Sequence, residues 1–85
     1  MHVSLAPGIH LRGAEESGAQ VVLVCPEGNV PLNSMAADIL GLCDGTRDRA
    51  QVVHEILQRT RNRARSADIV EFLDAAVARG WIQET

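Results

Sequence analysis

Aromatic residues and lysine are the main absences from this sequence of 85 residues. It contains one Trp, one Phe and no Tyr, so the thin core of a single small domain must be built from aliphatic side chains. All eight basic residues are Arg, and the formal net charge is −3. Domains that bind nucleic acid non-specifically are usually basic, so this charge balance disfavours that function.

Long hydrophobic runs and cysteine pairs are also missing. No apolar run approaches the ~18 residues of a membrane-spanning helix, and the sequence shows no secretory h-region, so we expect neither export nor membrane insertion. Cys25 and Cys43 lack the close spacing of a metal-binding motif, and the nearby acids Glu27 and Asp44 disfavour a reactive thiolate. We therefore expect a cytoplasmic protein with no metal, no cofactor and two reduced thiols in its core.

The first half of the chain predicts three strands of one antiparallel sheet. Ile9–Arg12 alternates apolar and polar residues, which is typical of a short strand. Ala19–Cys25 ends in a continuous, mostly β-branched run, as in a buried strand. Pro26-Glu27-Gly28 predicts a three-residue hairpin loop in which the glycine has positive φ, and Asn29–Leu32 is the returning strand.

Three helices are predicted after these strands. Apolar residues recur at helical spacing on one side of each: Ala36, Ile39, Leu40 and Cys43 in the first; Val52, Val53, Ile56 and Leu57 in the second; Ile69, Leu73, Ala76 and Val77 in the third. The residues predicted to begin and end them are Asn33 or Ser34 and Gly45 for the first, Thr46 and Thr60 for the second, and Ser66 and Gly80 for the third.

These elements predict the fold class. A three-stranded sheet cannot bury its own apolar face, so it must pack on the helices. We expect an α+β fold in which a three-stranded antiparallel β-meander is followed by three α-helices, in an arrangement like a winged helix-turn-helix. The single domain spans residues 1–85, with Met1–Gly8 as an extended arm, because Pro7 and Gly8 disfavour regular structure.

Arg59, Arg61, Arg63 and Arg65 lie at alternate positions between the last two predicted helices. They favour either a solvated basic link or a docking patch for an acidic partner. The alternative function for the chain is a small winged-helix DNA-binding regulator, but the acids of the third helix would repel phosphates. No carboxylate pair and no nucleophile beside a base indicate catalysis, so we predict no catalytic residues.

The outer edge of the sheet is a candidate for binding. The second strand is central in a meander, so Asn29–Asn33 has one unpaired side. Val30 and Leu32 are expected to face the core. Pro31 fits an outward position, because proline lacks the N–H that an inner ladder needs. It either blunts the edge against aggregation or belongs to an edge that accepts a peptide strand.

Short motifs along most of the chain carry a resemblance to a known family. They are P-E-G at residues 26–28, L-N at 32–33, C-D-G at 43–45, D-x-x-x-F-L at 68–73 and G-W at 80–81. In this order they resemble the PqqD family, which acts in the biosynthesis of pyrroloquinoline quinone (PQQ).

The resemblance implies a peptide chaperone and not an enzyme. Family members bind the precursor peptide PqqA as a strand added to the third strand, beside the third helix, and present it to the radical-SAM enzyme PqqE. We expect no nucleic acid or membrane partner, and a monomer or a weak or segment-swapped homodimer. Pro31 departs from the family, which often has an N–H-bearing residue there. The implied peptide-binding residues are Asn29, Val30, Pro31, Leu32, Asn33, Asp68, Phe72, Ala75 and Arg79.

Overall fold

A computed structural model describes residues 1–13 and 20–85, which form two small antiparallel sheets and a group of helices. The elements are β1 (Val3–Leu5), β2 (His10–Arg12), β3 (Val22–Cys25), β4 (Gly28–Pro31), α1 (Ser34–Leu42), β5 (Asp44–Arg47), α2 (Arg49–Arg59), α3 (Ser66–Ala78) and β6 (Ile82–Glu84). The α+β fold class is confirmed. Ala19, the predicted start of the second strand, lies outside the described residues.

The predicted meander is confirmed as a sheet of order β2-β3-β4. Leu23 of the central strand is fully buried and stands opposite Leu11 on one side and Val30 on the other. Its hairpin loop is shorter than predicted: Cys25 pairs with Gly28, so only two residues lie between the strands. Gly28 has φ +146°, as a glycine allows, and can therefore join the ladder directly.

A second sheet, of order β5-β1-β6, was not predicted, and it includes part of the extended arm. Residues 3–5 form its central strand, with Val3 fully buried and Leu5 opposite Ile82. Pro7 and Gly8 follow this strand as a turn, so they end it and do not prevent it. We call β5-β1-β6 the closing sheet, because it joins residues from the beginning, middle and end of the chain.

Helix α1 begins at Ser34, and of the two predicted capping residues, Asn33 and Ser34, the cap is Asn33, whose Oδ1 accepts a hydrogen bond from the Ala36 N–H at 2.8 Å. Gly45 was predicted to stop this helix, which is wrong. The helix ends at Cys43, whose N–H donates to the Leu40 carbonyl. Gly45 instead lies in β5 with φ +87°, where the pairing with β1 shifts register, so glycine serves the irregular strand there.

The predicted caps of the other two helices are wrong by one or two residues. The cap of α2 is Asp48, not Thr46, because Asp48 and Gln51 form a reciprocal capping box with two bonds of 2.8 Å. Thr46 instead donates its hydroxyl to Asp44 within β5. Ser66 is already the first residue of α3, and Arg65 occupies the cap position without a side-chain bond.

The end of α3 is confirmed at Gly80, which has φ +77°. The Trp81 N–H donates to the Ala76 carbonyl at 2.9 Å and the Gly80 N–H to the Val77 carbonyl at 3.0 Å, which is a Schellman motif. Val77 was predicted to be buried, but its side chain is 39% exposed. The buried stripe of α3 is narrow and consists of Ile69, Leu73 and Ala76.

One aliphatic core serves both sheets and all three helices, as the lack of aromatics predicts. Its largest fully buried side chains are Leu23, Ile39, Leu40, Ile56, Ile69 and Leu73. Phe72 and Trp81 pack against this core from its margin and are only partly buried. Within the described residues, no helix has the length and apolar character needed to cross a membrane.

Candidate functional site

An open groove of about 230 Å³ lies between the edge strand β4 and the second half of α3. Nine residues line it: Val30, Pro31, Leu32, Asn33, Ala36, Phe72, Ala75, Arg79 and Trp81. The strand side is positioned by the meander register, and the helix side by the spacing of Phe72, Ala75 and Arg79, which places these side chains on one face of α3. We call this feature the edge groove.

Seven of the nine sequence-predicted site residues line the edge groove. The other two do not: Asn29 lies nearer the hairpin, and Asp68 lies in the first turn of α3, one helical turn before Phe72. Sequence reasoning missed Ala36 and Trp81. Both had a signal, because Ala36 follows the Asn33 cap by three positions, and Trp81 occupies the position after Gly80 where a Schellman motif usually places a hydrophobic contact.

The strand side of the groove presents free backbone groups. The Leu32 N–H donates to the Val21 carbonyl at 2.9 Å, so Leu32 turns its backbone inward toward β3. Antiparallel pairs alternate, so Val30 does the same, and the backbone groups of Asn29, Pro31 and Asn33 point outward. In the described part of the chain no further strand covers this edge. The backbone groups available to a ligand at this edge are the N–H and the carbonyl of Asn29, the carbonyl of Pro31 and the N–H of Asn33.

The helix side is apolar with one cation at its end. Phe72 is half-buried against the core and leaves part of its ring facing the groove. The Arg79 guanidinium carbon lies 5.1 Å from the centre of the Trp81 ring, within the range of a cation–π contact. This contact holds the exposed Arg79 side chain beside the indole. The groove is therefore suited to an extended segment with an apolar side chain opposite Phe72.

Residues 20–82 match the sequence model of the family described as "Coenzyme PQQ synthesis protein D (PqqD)". The chain belongs to the PqqD family. The match covers β3 to the start of β6 and therefore both walls of the edge groove.

Two relatives share more than a third of their aligned residues with this PqqD-family chain. It is 36% identical over 70 residues to a "PqqA binding protein" of Methylococcus capsulatus, covering 82% of this chain and 75% of the relative. It is 43% identical over 63 residues to a "PqqA binding protein" of Azotobacter vinelandii, covering 73% of this chain and 68% of the relative.

A solved structure, titled "Structure of the heterocyclase TruD", shares the fold of this PqqD-family chain. The TM-score is 0.68 at 22% identity, and the superposition covers 99% of this chain but only 11% of that much longer one. At this identity the likeness concerns the fold alone.

The Cys43 thiol of this PqqD-family protein lies in the core. Cys43 is buried and its Sγ donates to the Ile39 carbonyl at 3.2 Å. Burial, and secondly the negative charge of Asp44, raise the pKa of the Cys43 thiol from 9.0 to about 11, so it stays protonated at neutral pH. No cluster of His, Cys, Asp or Glu among residues 1–13 and 20–85 is placed to hold a metal ion.

Proposed function

We propose that this protein is a peptide chaperone of PQQ biosynthesis that binds the precursor peptide PqqA. The curated relatives named as PqqA binding proteins support the ligand, and the family match over residues 20–82 includes both walls of the edge groove. The observation that carries the proposal is the unpaired edge of β4, which stands directly beside a groove with apolar walls.

Binding would take place by strand addition. An extended peptide aligned with Asn29–Asn33 can accept from and donate to the outward backbone groups, and every second peptide side chain then points into the groove. Each new backbone bond contributes about 0.5–1.5 kcal/mol net. A few such bonds, together with apolar side chains packed in the groove beside Phe72, would offset the cost of ordering a flexible peptide.

Pro31 sets a limit on this ladder. It sits at the position whose N–H would face the peptide, so the edge has one donor fewer than another residue would supply. The remaining donors belong to Asn29 and Asn33, two positions away on either side. We propose that the peptide register is set by these two N–H groups.

The bound peptide would then be presented to the radical-SAM enzyme PqqE in the cytoplasm. In this proposal the domain supplies position and no chemistry, so it is not an enzyme and needs no cofactor. Both walls of the groove come from one chain, so a monomer suffices for binding. Duplex DNA is not the proposed ligand, because α3 exposes Asp68, Glu71 and Asp74.

A titration of the isotope-labelled protein with PqqA peptide, followed by backbone amide NMR, tests the proposal. We expect shifts at Asn29, Val30, Leu32 and Asn33 and along the groove face of α3. A peptide of the same composition in scrambled order serves as the control. Shifts confined to α2 and residues 59–65 would contradict docking at the edge groove.

A further inference from the structure

The turn between α2 and α3 concentrates positive charge. Residues 59–65 contain four of the eight arginines of the chain. A cavity of about 450 Å³ opens there, lined by Met35, Arg59, Thr60, Arg61, Arg63 and Ala64. Among residues 1–13 and 20–85, no carboxylate contributes to the lining of this cavity, although the chain as a whole has a net charge of −3. We call residues 59–65 the arginine turn.

The backbone of the arginine turn adopts a conformation that favours glycine. The Asn62 N–H donates to the Leu57 carbonyl at 2.8 Å and the Arg61 N–H to the Gln58 carbonyl at 3.2 Å, which is again the Schellman pattern. Arg61 has φ +51° and Asn62 has φ +62°. A left-handed arginine carries steric strain that glycine avoids. An observed outlier of this kind is a reason to look for function.

Hydrogen bonds and core packing fix the backbone of the arginine turn. The Thr60 hydroxyl donates to the Ile56 carbonyl at 2.8 Å and accepts from the Ala64 N–H at 3.4 Å, which ties the two sides of the turn together. Ala64 is buried in the common core. The arginine side chains at positions 61 and 63 are therefore exposed on a fixed backbone.

Most of this charge is unpaired within the part of the chain that the structure describes. Arg59 lies 3.6 Å from Glu55 in an exposed pair one helical turn apart. Among the described residues, no carboxylate lies within 4.0 Å of Arg61 or Arg63. The end of α2 carries only about half a negative charge from its dipole, so one arginine is enough to compensate it. The surplus positive charge faces solvent.

An exposed apolar residue borders the same cavity. Met35 is 38% exposed and lies in the first turn of α1, next in sequence to Ala36 of the edge groove. Consecutive helical residues point in directions about 100° apart. The cavity and the groove therefore lie on different sides of the beginning of α1, and one ligand can occupy the cavity while another occupies the groove.

We propose that the arginine turn is a second docking site, which binds an acidic segment of a protein partner that also carries an apolar residue. Carboxylates would bind the guanidinium groups of Arg61 and Arg63 through charge-assisted bonds, and the apolar residue would cover Met35. A long regular polyanion fits less well, because Asp68 and Glu71 of α3 follow shortly after the turn and would repel it.

The probe for this site is a fluorescently labelled peptide, Glu-Glu-Leu-Glu-Glu, titrated by anisotropy at low salt, with Gln-Gln-Leu-Gln-Gln as the neutral control. We expect binding of the acidic peptide alone, with affinity falling as salt is raised. Arg61→Glu should weaken it by about tenfold or more. Arg12→Glu, which makes the same change in net charge on β2, should leave it nearly unchanged.

Arg61→Gly separates a docking role from a structural one. Glycine relieves the left-handed strain, so the melting temperature should rise while affinity for the acidic peptide falls. The proposal is wrong if the neutral peptide binds equally well, if Arg12→Glu weakens binding as much as Arg61→Glu, or if duplex DNA binds more tightly than the peptide. Loss of binding in Phe72→Ala would also overturn it, since the ligand would then occupy the edge groove. None of these results depends on whether PqqA binds that groove.

Discussion

The two sheets of the molecule differ in how their strands are connected. The meander β2-β3-β4 is built from neighbouring segments, and one of its edges borders the groove. The closing sheet β5-β1-β6 takes its strands from residues 3–5, 44–47 and 82–84, so it forms only when distant parts of the chain have met. Both nevertheless contribute side chains to the same aliphatic core.

This difference indicates a division of roles. Contacts between distant segments carry a larger entropic cost of closure, and they form only once the whole chain has collapsed. The closing sheet should therefore report on global stability, whereas the outer strand of the meander should report on ligand binding. Substitutions in or beside the two sheets can separate these properties.

The largest effect is expected from Ile82→Ala in the closing sheet. Ile82 is 2% exposed, and its truncation should lower the free energy of unfolding by about 2–5 kcal/mol. Urea denaturation measures this loss. Val77→Ala, a truncation on the exposed face of α3, is the control and should change stability by no more than about 0.5 kcal/mol. Equal losses would show that β6 does not hold the fold together.

Phe72→Ala should mainly lower the affinity for peptide, whereas Ile82→Ala should mainly lower stability. The lost apolar contact corresponds to about 1.5–3 kcal/mol, so affinity for PqqA peptide should fall by roughly 10- to 100-fold. Calorimetric titration measures the affinity, and the denaturation midpoint of the same variant shows how much of Phe72 serves the core. If stability falls while affinity does not, Phe72 is a core residue and not part of a binding site.

Arg49→Met tests how the closing sheet is attached to the helices. Arg49 bonds to Glu84 of β6 at 2.6 Å and also to Asp74 of α3, and these bonds raise the pKa of its guanidinium. The pairs are partly exposed and therefore screened, so the loss should be only about 1 kcal/mol. The difference from the native protein should shrink at high salt, and peptide affinity should stay the same.

Pro31→Ala should have a small effect of the opposite sign. It supplies an outward N–H at the open edge, worth about 0.5–1.5 kcal/mol if the peptide accepts it. Peptide binding should then be equal or up to about tenfold tighter. Weaker binding would mean that the proline ring itself contacts the ligand. Stability should change little, because the new N–H does not point toward β3.

The meander and α1 were predictable because their signals are local. Asn33 is a good cap, the apolar residues of α1 follow at helical spacing, and Pro31 fixes which backbone groups of β4 face outward. Phe72, Ala75 and Arg79 came from the family resemblance and not from a local rule, and helical spacing then places them on one face of α3. The resemblance and the strand pattern together therefore named seven groove residues.

The closing sheet could not be predicted from the same signals. Its strands come from distant parts of the chain, so no turn motif marks their pairing, and the β5 sequence Asp-Gly-Thr-Arg is polar throughout. The left-handed conformation of Arg61 was equally hidden, because an arginine gives no sign of positive φ. The contacts that form the closing sheet join segments far apart in sequence. The positive φ of Arg61 is a property of the backbone that the residue type does not reveal.

The pairing of β1 with β6 also brings residues 2 and 85 together. The His2 N–H donates to the Thr85 carbonyl at 2.7 Å, and the Thr85 N–H donates to the His2 carbonyl at 2.9 Å. A polypeptide can thus enter and leave this fold at a single point. A loop of a host protein could carry it as a guest domain through short linkers, and a circular permutant could join these positions and open the chain elsewhere. Neither rearrangement would need to move the edge groove or the arginine turn.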